Sequence, residues 1–222
     1  MAIFPRIYLF LACFIPWAAG QTKALDLVFA VDVSESMAEP GRFIREGARL
    51  AAYELAPQDR VAVIGFSSSA KLHAGFTSDP KAIDIAFRRA TAPLVRKSGQ
   101  LRLYDGVFAA IEQFPAYGDA DRTRSVAVIT NDLDGGSSHE QVELIRRARS
   151  KGVGIWVFLI GNPDRGLPQP NGGHPQVPYL DTRFAADHLR PLSDETGGKV
   201  MTLDGNGYVL RRIIAACKGA GK

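Results

Sequence analysis

Asp32, Ser34 and Ser36 stand two residues apart in Asp32-Val33-Ser34-Glu35-Ser36-Met37, just past an apolar run. In an extended segment that spacing puts all three side chains on one side, because successive side chains alternate. The set is one carboxylate and two hydroxyls, hard oxygen donors of the kind that Mg²⁺ or Mn²⁺ takes. Mg²⁺ wants about six oxygens and keeps waters where the protein supplies few. Hydroxyl ligands bring no charge, so an ion held here stays underneutralised and attracts an acidic group from outside. The same residue types also cap helices, since Ser and Asp oxygens accept the free N–H groups of a first turn. Chemistry alone leaves both readings open.

The elements that position these residues alternate between two periods. Leu25 with Leu27 to Val31, Val61 to Phe66, Val126 to Ile129 and Val153 to Ile160 are nearly unbroken apolar runs. Such runs are expected of strands covered on both faces, and Lys199 to Leu203 is a shorter fifth. Lys71 to Phe76 alternates instead, after only Ser67-Ser68-Ser69, which predicts a hairpin and an antiparallel edge strand. Between the runs the period becomes helical. Phe43, Gly47, Leu50 and Ala51 share a face, as do Ile83, Ala86, Phe87 and Ala90, and Leu103, Val107, Ala110, Ile111 and Phe114. Ser137 with Glu140 has capping-box spacing and predicts the start of a helix through Val142 and Ile145. Leu189 and Leu192 mark a fifth helix, and Leu210, Ile213, Ile214 and Cys217 a sixth. The alternation predicts one α/β domain, a three-layer α/β/α sandwich around a mostly parallel sheet. In open sheets of this kind ligands bind beyond the carboxyl ends of the strands, where Asp32 falls. The Pro/Gly-rich stretch from Gly161 to Asp181 is too long for a routine connection.

The chain of 222 residues is 46% hydrophobic and 23% charged, which excludes a disordered or low-complexity polymer. Its net charge of +4 is spread along the sequence without a basic cluster, so no nucleic-acid partner is expected. Two cysteines, Cys13 and Cys217, exclude a disulfide scaffold or a Cys-rich zinc module. Arg6 precedes an apolar stretch from Ile7 to Ala19, followed by Gly20-Gln21. That is the pattern of an export signal over residues 1–20, cleaved after Gly20, with the globular domain over 21–222. The stretch falls short of the roughly 20 apolar residues of a spanning helix, and Pro16 interrupts it, so no membrane span is expected after cleavage. The mature chain is then periplasmic or secreted, and its single thiol suits an oxidising compartment.

Asp32-Val33-Ser34-Glu35-Ser36-Met37 resembles the Asp-x-Ser-x-Ser signature of von Willebrand factor A domains. Further likenesses follow in order: Asp59 to Ser67, Leu103 to Val107, Val128 to Asp132, and Glu195-Thr196-Gly197-Gly198-Lys199 before the last strand. Together they span roughly Ala24 to Cys217. The resemblance implies a Rossmann-like sheet with one antiparallel edge strand. It also implies a binding module whose metal-ion-dependent adhesion site docks a partner's Asp or Glu through Mg²⁺ or Mn²⁺. Carried over, the metal residues are Asp32, Ser34, Ser36 and Asn131. Two positions depart from the family pattern. Leu101 stands where the family supplies a third hydroxyl, and Asn131 where it supplies a second carboxylate. Asp132 and Asp134 lie close enough in sequence to substitute, and Asp132 is the nearer. With fewer ligands and less charge, affinity for the ion falls, so any metal is weakly held. Arg102 adjoins the lost hydroxyl and offers a second means of receiving a partner's carboxylate, bidentately and without metal.

Catalytic signatures are absent from the sequence. Gly65-Phe66-Ser67-Ser68-Ser69 lacks the closing Gly of a nucleophile elbow, and Gly152 and Gly154 precede a strand instead of following one. His73, His139, His174 and His188 share no ligand spacing. The sequence therefore predicts an exported protein-binding module that is not an enzyme. The alternatives are a metal-assisted hydrolase drawing on Asp32 and Asp132, and a purely structural subunit of an envelope complex.

Overall fold

A computed structural model describes residues 23–92, 100–116, 121–161, 182–204 and 206–219. The expected leader, Arg96 and Lys97, and the Pro/Gly-rich segment beyond Gly161 lie outside the described residues. Six strands form one sheet: β1 (Ala24–Asp32), β2 (Arg60–Phe66), β3 (Ala70–Thr77), β4 (Arg122–Thr130), β5 (Val153–Gly161) and β6 (Val200–Asp204). Their order is β3-β2-β1-β4-β5-β6, parallel throughout except for β3, which runs antiparallel to β2 at the edge. The alternating stretch in β3 thus has the role its period predicts. Its faces do not follow a simple alternation: register shifts opposite Val61 to Ile64 let Ala74 pack on one core and Phe76 on the other, and Leu72 is exposed.

Among the described residues six α-helices cover the sheet: α1 (Ala38–Ala51), α2 (Pro80–Ala90), α3 (Leu103–Ile111), α4 (Gln141–Ser150), α5 (Thr182–Asp194) and α6 (Val209–Gly219). Leu25, Leu27, Phe29 and Val31 of β1 pack with Ile44, Phe87 and Ile213 on one face, under α1, α2 and α6. Val28 and Ala30 pack with Val107, Leu144 and Leu189 on the other, under α3, α4 and α5. This is the Rossmann-like α/β/α sandwich, with two apolar cores that each strand shares through its pleat.

Near the functional edges Gly106 permits a close approach and Gly197 a left-handed turn. A Cβ on Gly106 would stand 2.4 Å from Cγ of Phe66, so α3 lies on β2 at a distance only glycine permits. Gly197, at φ +82°, ends α5 in the left-handed conformation, with the Gly198 N–H bonded back to Ser193 O at 2.9 Å.

One local expectation is corrected. Ser137 does not open the fourth helix, which begins at Gln141 with Glu140 in the capping position. The Ser137 hydroxyl donates to Asp134 Oδ1 and accepts from the Asp105 N–H. The contacts of the 134–139 loop with α3 outcompete the local box.

Candidate functional site at the carboxyl edge

Strand order reverses at β1, whose chain continues to β2 on one side while β4 lies on the other. The carboxyl ends of β1 and β4 therefore flank the crevice that such sheets use for ligands. Pairing of Val31 with Ile129 sets Asp32 beside Thr130 at the ends of the two strands. Thr130 Oγ1 donates to Asp32 Oδ2 at 2.7 Å, and the Ser34 N–H donates to Asp32 Oδ1 at 2.8 Å. Asp32 is thereby fixed at both oxygens, and it is 1% exposed. Burial pushes its pKa up, bonds from Ser34 and Thr130 pull it back, and nearby Asp132 adds repulsion, leaving it at about 6. It carries its charge at neutral pH and loses it in mild acid.

Beyond Asp32 the backbone stays extended only to Ser34, at φ −67° and ψ 168°. Residues Glu35–Met37 then form a 3₁₀ turn, not the extended continuation that the spacing suggests. The turn still brings the two hydroxyls together: Ser34 Oγ and Ser36 Oγ are 3.0 Å apart. Ser36 Oγ donates to Asn131 Oδ1 at 2.8 Å, and Asn131 Nδ2 donates to Ser36 O at 3.0 Å. Asp32, Ser34, Ser36 and Asn131 are thus one connected constellation. Neither serine side chain caps the 3₁₀ turn or α1. That decides against helix capping for the hydroxyls, whereas Asp32 closes a local turn through the Ser34 N–H.

Asn131 makes a bond that a carboxylate cannot. Its amide N–H holds the Ser36 carbonyl, where an Asp would set an oxygen against that carbonyl. Asp132 turns into its own turn, Oδ1 accepting from the Leu133 N–H at 2.8 Å. Asp134 clamps the following loop to α3, accepting from the N–H groups of Tyr104, Gly136 and Ser137. Leu101 is buried in the core beneath α3, and its carbonyl accepts from the Gly135 N–H at 2.8 Å. The donors at the crevice are therefore one carboxylate, two hydroxyls and an amide oxygen. All are hard oxygens, and each Asp32 oxygen retains a lone pair. The set fits a hard divalent cation that keeps several waters and is held weakly. Among the described residues, no group of three or more His, Cys, Asp or Glu is placed to hold a metal.

Arg102 sits at the N-terminus of α3, its N–H bonded to Ser67 O at 2.8 Å and its guanidinium 3.6 Å from Asp105 Oδ2. It is half exposed at this edge and faces a carboxylate of its own chain. Asp105 also accepts from the backbone N–H groups of Ser138 and His139, and its Oδ1 lies 2.8 Å from His139 Nδ1. Burial pushes the Asp105 pKa up, but the bonds from His139 and Ser138 outweigh it and hold the carboxyl below its ordinary range. Thr130 and the Asp105–His139 pair escape a reading by spacing. For Thr130 a signal existed, because strands adjacent across a reversal bring their last residues together. Asp105 and His139 are separated by 34 positions and have none.

Residues 27–136 match the family model of the von Willebrand factor type A domain. Among solved structures, the chain is similar to the conserved hypothetical protein BatB of Bacteroides thetaiotaomicron, at 17% identity and TM-score 0.67. That match covers 89% of this chain and 98% of the other. It is also similar to an aerotolerance-related membrane protein of Bacteroides fragilis, at 18% identity and TM-score 0.64, over 88% and 99% of the two chains. A third likeness is proximal thread matrix protein 1 of the mussel byssus, in a structure with a zinc-occupied MIDAS motif. There identity is 14% and the TM-score 0.62, covering 90% of this chain and 48% of that one. At these identities the likeness is one of fold, and the fold is that of the von Willebrand factor type A domain. No curated protein matches the sequence.

Proposed function

We propose that this von Willebrand factor type A fold is an exported protein-binding module that docks a partner at the carboxyl edge of its sheet. Domains of this type generally mediate protein interactions. The observation that carries the reading is the Ser34–Ser36–Asn131 chain of hydroxyls and amide. It stands exposed at the reversal of strand order, its hydroxyls cap no helix, and a buried carboxylate backs it.

Ser34, Ser36 and Asn131 offer the oxygens that would hold Mg²⁺ or Mn²⁺ weakly, and Asp32 offers the charge. When bound, the ion supplies a positive centre for a partner's exposed Asp or Glu. The residues of the chain do the rest. Asp32 holds the Ser34 N–H and so sets the angle of the turn that presents both hydroxyls. Asn131 fixes Ser36 from two sides. Thr130 keeps Asp32 aimed into the turn. Arg102, screened by Asp105 at 3.6 Å, gives the partner's acidic group a second, weaker attraction at the rim. An envelope location agrees with the leader pattern and with the name of the Bacteroides fragilis relative, a membrane protein. Among the described residues no helix is long and apolar enough to cross a membrane.

Ser34→Ala and Ser36→Ala test the reading. Each is expected to abolish co-purification of the partner from source cells while leaving thermal unfolding unchanged. Indifference of the partner to both changes overturns the docking site and leaves a subunit that packs by other surfaces. Turnover of an ester or phosphoester that depends on Asp32 overturns the non-enzymatic reading.

A further inference from the structure

Among the described residues, Lys71, His73 and Arg89 gather beside the docking turn with no carboxylate paired to any of them. His73 of β3 lies over Gly65 of β2: a Cβ on Gly65 would stand 3.1 Å from His73 Nε2 and 3.5 Å from Val33 Cγ1. Val33 sits between Asp32 and Ser34, and its N–H bonds the Phe66 carbonyl at 2.8 Å. The half-buried imidazole thus stands next to the turn that presents the two hydroxyls. Lys71 pairs with Gly65 across the hairpin, and Arg89 comes from α2, which packs on β3.

The charges that act on His73 are both positive. Burial, Lys71 and Arg89 all push its pKa down, so the ring is neutral at neutral pH. Lys71 and Arg89 are exposed, and among the described residues neither forms an ion pair or a hydrogen bond. The His73 ring nitrogens bond nothing there either. Asp84, one turn before Arg88 on α2, is taken by Arg88 at 2.8 Å. At the amino edge, by contrast, cations and acids are matched: Arg60 and Arg122 share Asp26, Arg211 meets Glu54, and Lys218 meets Asp59. Two unmatched cations beside a neutral imidazole give the flank of the docking edge a positive potential. Complementarity of charge then selects an acidic occupant.

We propose that Lys71, His73 and Arg89 receive an acidic stretch of the partner protein, adjoining the Asp or Glu that docks at Ser34 and Ser36. Lys71 and Arg89 pair with its carboxylates, and the His73 ring N–H donates to one of them. The proposal rests on the docking reading for the placement of the partner and adds the chemistry of the segment beside its docking residue.

The probe is a fluorescein-labelled hexa-aspartate peptide, followed by anisotropy with the full chain in EDTA. Lys71→Glu with Arg89→Glu is expected to weaken its binding on the order of tenfold. Arg49→Glu with Arg146→Glu makes the same change of net charge at exposed positions of α1 and α4. That control is expected to weaken binding by less than about twofold. Ser34→Ala is expected to leave this metal-free binding unchanged, so the flank and the docking edge fail separately. The His73 ring signals in NMR spectra, identified through His73→Gln, are expected to move saturably with hexa-aspartate and not with hexaserine. Equal losses in the two double variants, or a stationary His73 ring, overturn the proposal. A loss in Ser34→Ala as large as that in the flank variant places the peptide at the turn and overturns it too. So does tighter binding of an oligothymidylate of the same charge, which would make the flank a nucleic-acid site.

Discussion

Asp32 is the residue on which the carboxyl edge turns, and its environment opposes its charge. An ionised carboxylate at 1% exposure is stabilised by the backbone and side chain of Ser34 and by the Thr130 hydroxyl, which do not offset its burial. Because its folded pKa of about 6 lies above the ordinary 3.8, the folded state holds the proton more tightly than the unfolded chain. Its contribution to stability is therefore full below pH 4, falls as the pH rises towards 6, and is flat above. The span amounts to about 3 kcal/mol, at 1.36 kcal/mol per unit of pKa. Asp32→Asn keeps the acceptor for the Ser34 N–H. It also turns the Thr130 hydroxyl towards the Asp132 carbonyl, already 3.3 Å away. Urea unfolding of both proteins at pH 4 and 7.5 is expected to show the variant gaining up to that amount relative to wild type as the pH rises. Parallel curves would contradict the assigned environment. A carboxylate kept where it costs stability is the mark of a functional position, and neutralising it is expected to relieve strain at the expense of the site.

At the scale of elements, α3 and the loop after β4 decide where the rim of the site stands. α3 reaches its place because Gly106 lets its backbone rest on Phe66. Gly106→Ala improves helix propensity by about 1 kcal/mol, yet its Cβ would meet the Phe66 ring at 2.4 Å and push the helix outward. Overpacking of this kind costs typically about 1–3 kcal/mol, so thermal unfolding of the variant is expected to show a net loss. A melting temperature at or above wild type would mean that α3 shifts freely and does not set the rim. The far end of α3 is fastened by Lys151, whose Nζ bonds the Phe114 carbonyl at 2.8 Å and the Glu112 carboxylate at 3.1 Å. Much of this level was legible in the sequence. Apolar runs gave the central strands, alternation gave the edge strand, and stripes gave six helices. The misses have local causes. Phe114 continues the stripe of α3 by spacing, but the helix ends at Ile111 and Phe114 is buried by the tight turn that follows. Ser137 has the spacing of a cap, but Asp105 and Asp134 recruit it first. A long-range hydrogen bond leaves no trace in local periodicity.

For the whole molecule, the two ends of the sheet differ in chemistry. The carboxyl edge gathers hydroxyls, an amide and a buried acid, and at the amino edge the buried Asp26 carboxylate is held between the Arg60 and Arg122 guanidiniums. The first could be approached from sequence because Asp32, Ser34 and Ser36 are neighbours, and Asn131 belongs to a motif of fixed order. The second could not, since Asp26, Arg60 and Arg122 meet only when the sheet is assembled. The central claim concerns the first edge, and it is most directly tested by placing a photoreactive side chain at Glu35. That residue is exposed between the two serines without joining their hydrogen bonds, and Gln58, exposed at the amino edge, serves as control. Irradiation of intact source cells is predicted to give a discrete adduct from position 35, none from position 58, and loss of the adduct when Ser34→Ala is added. Adducts of equal yield from both positions, or an adduct at 35 indifferent to Ser34→Ala, would contradict docking at the carboxyl edge.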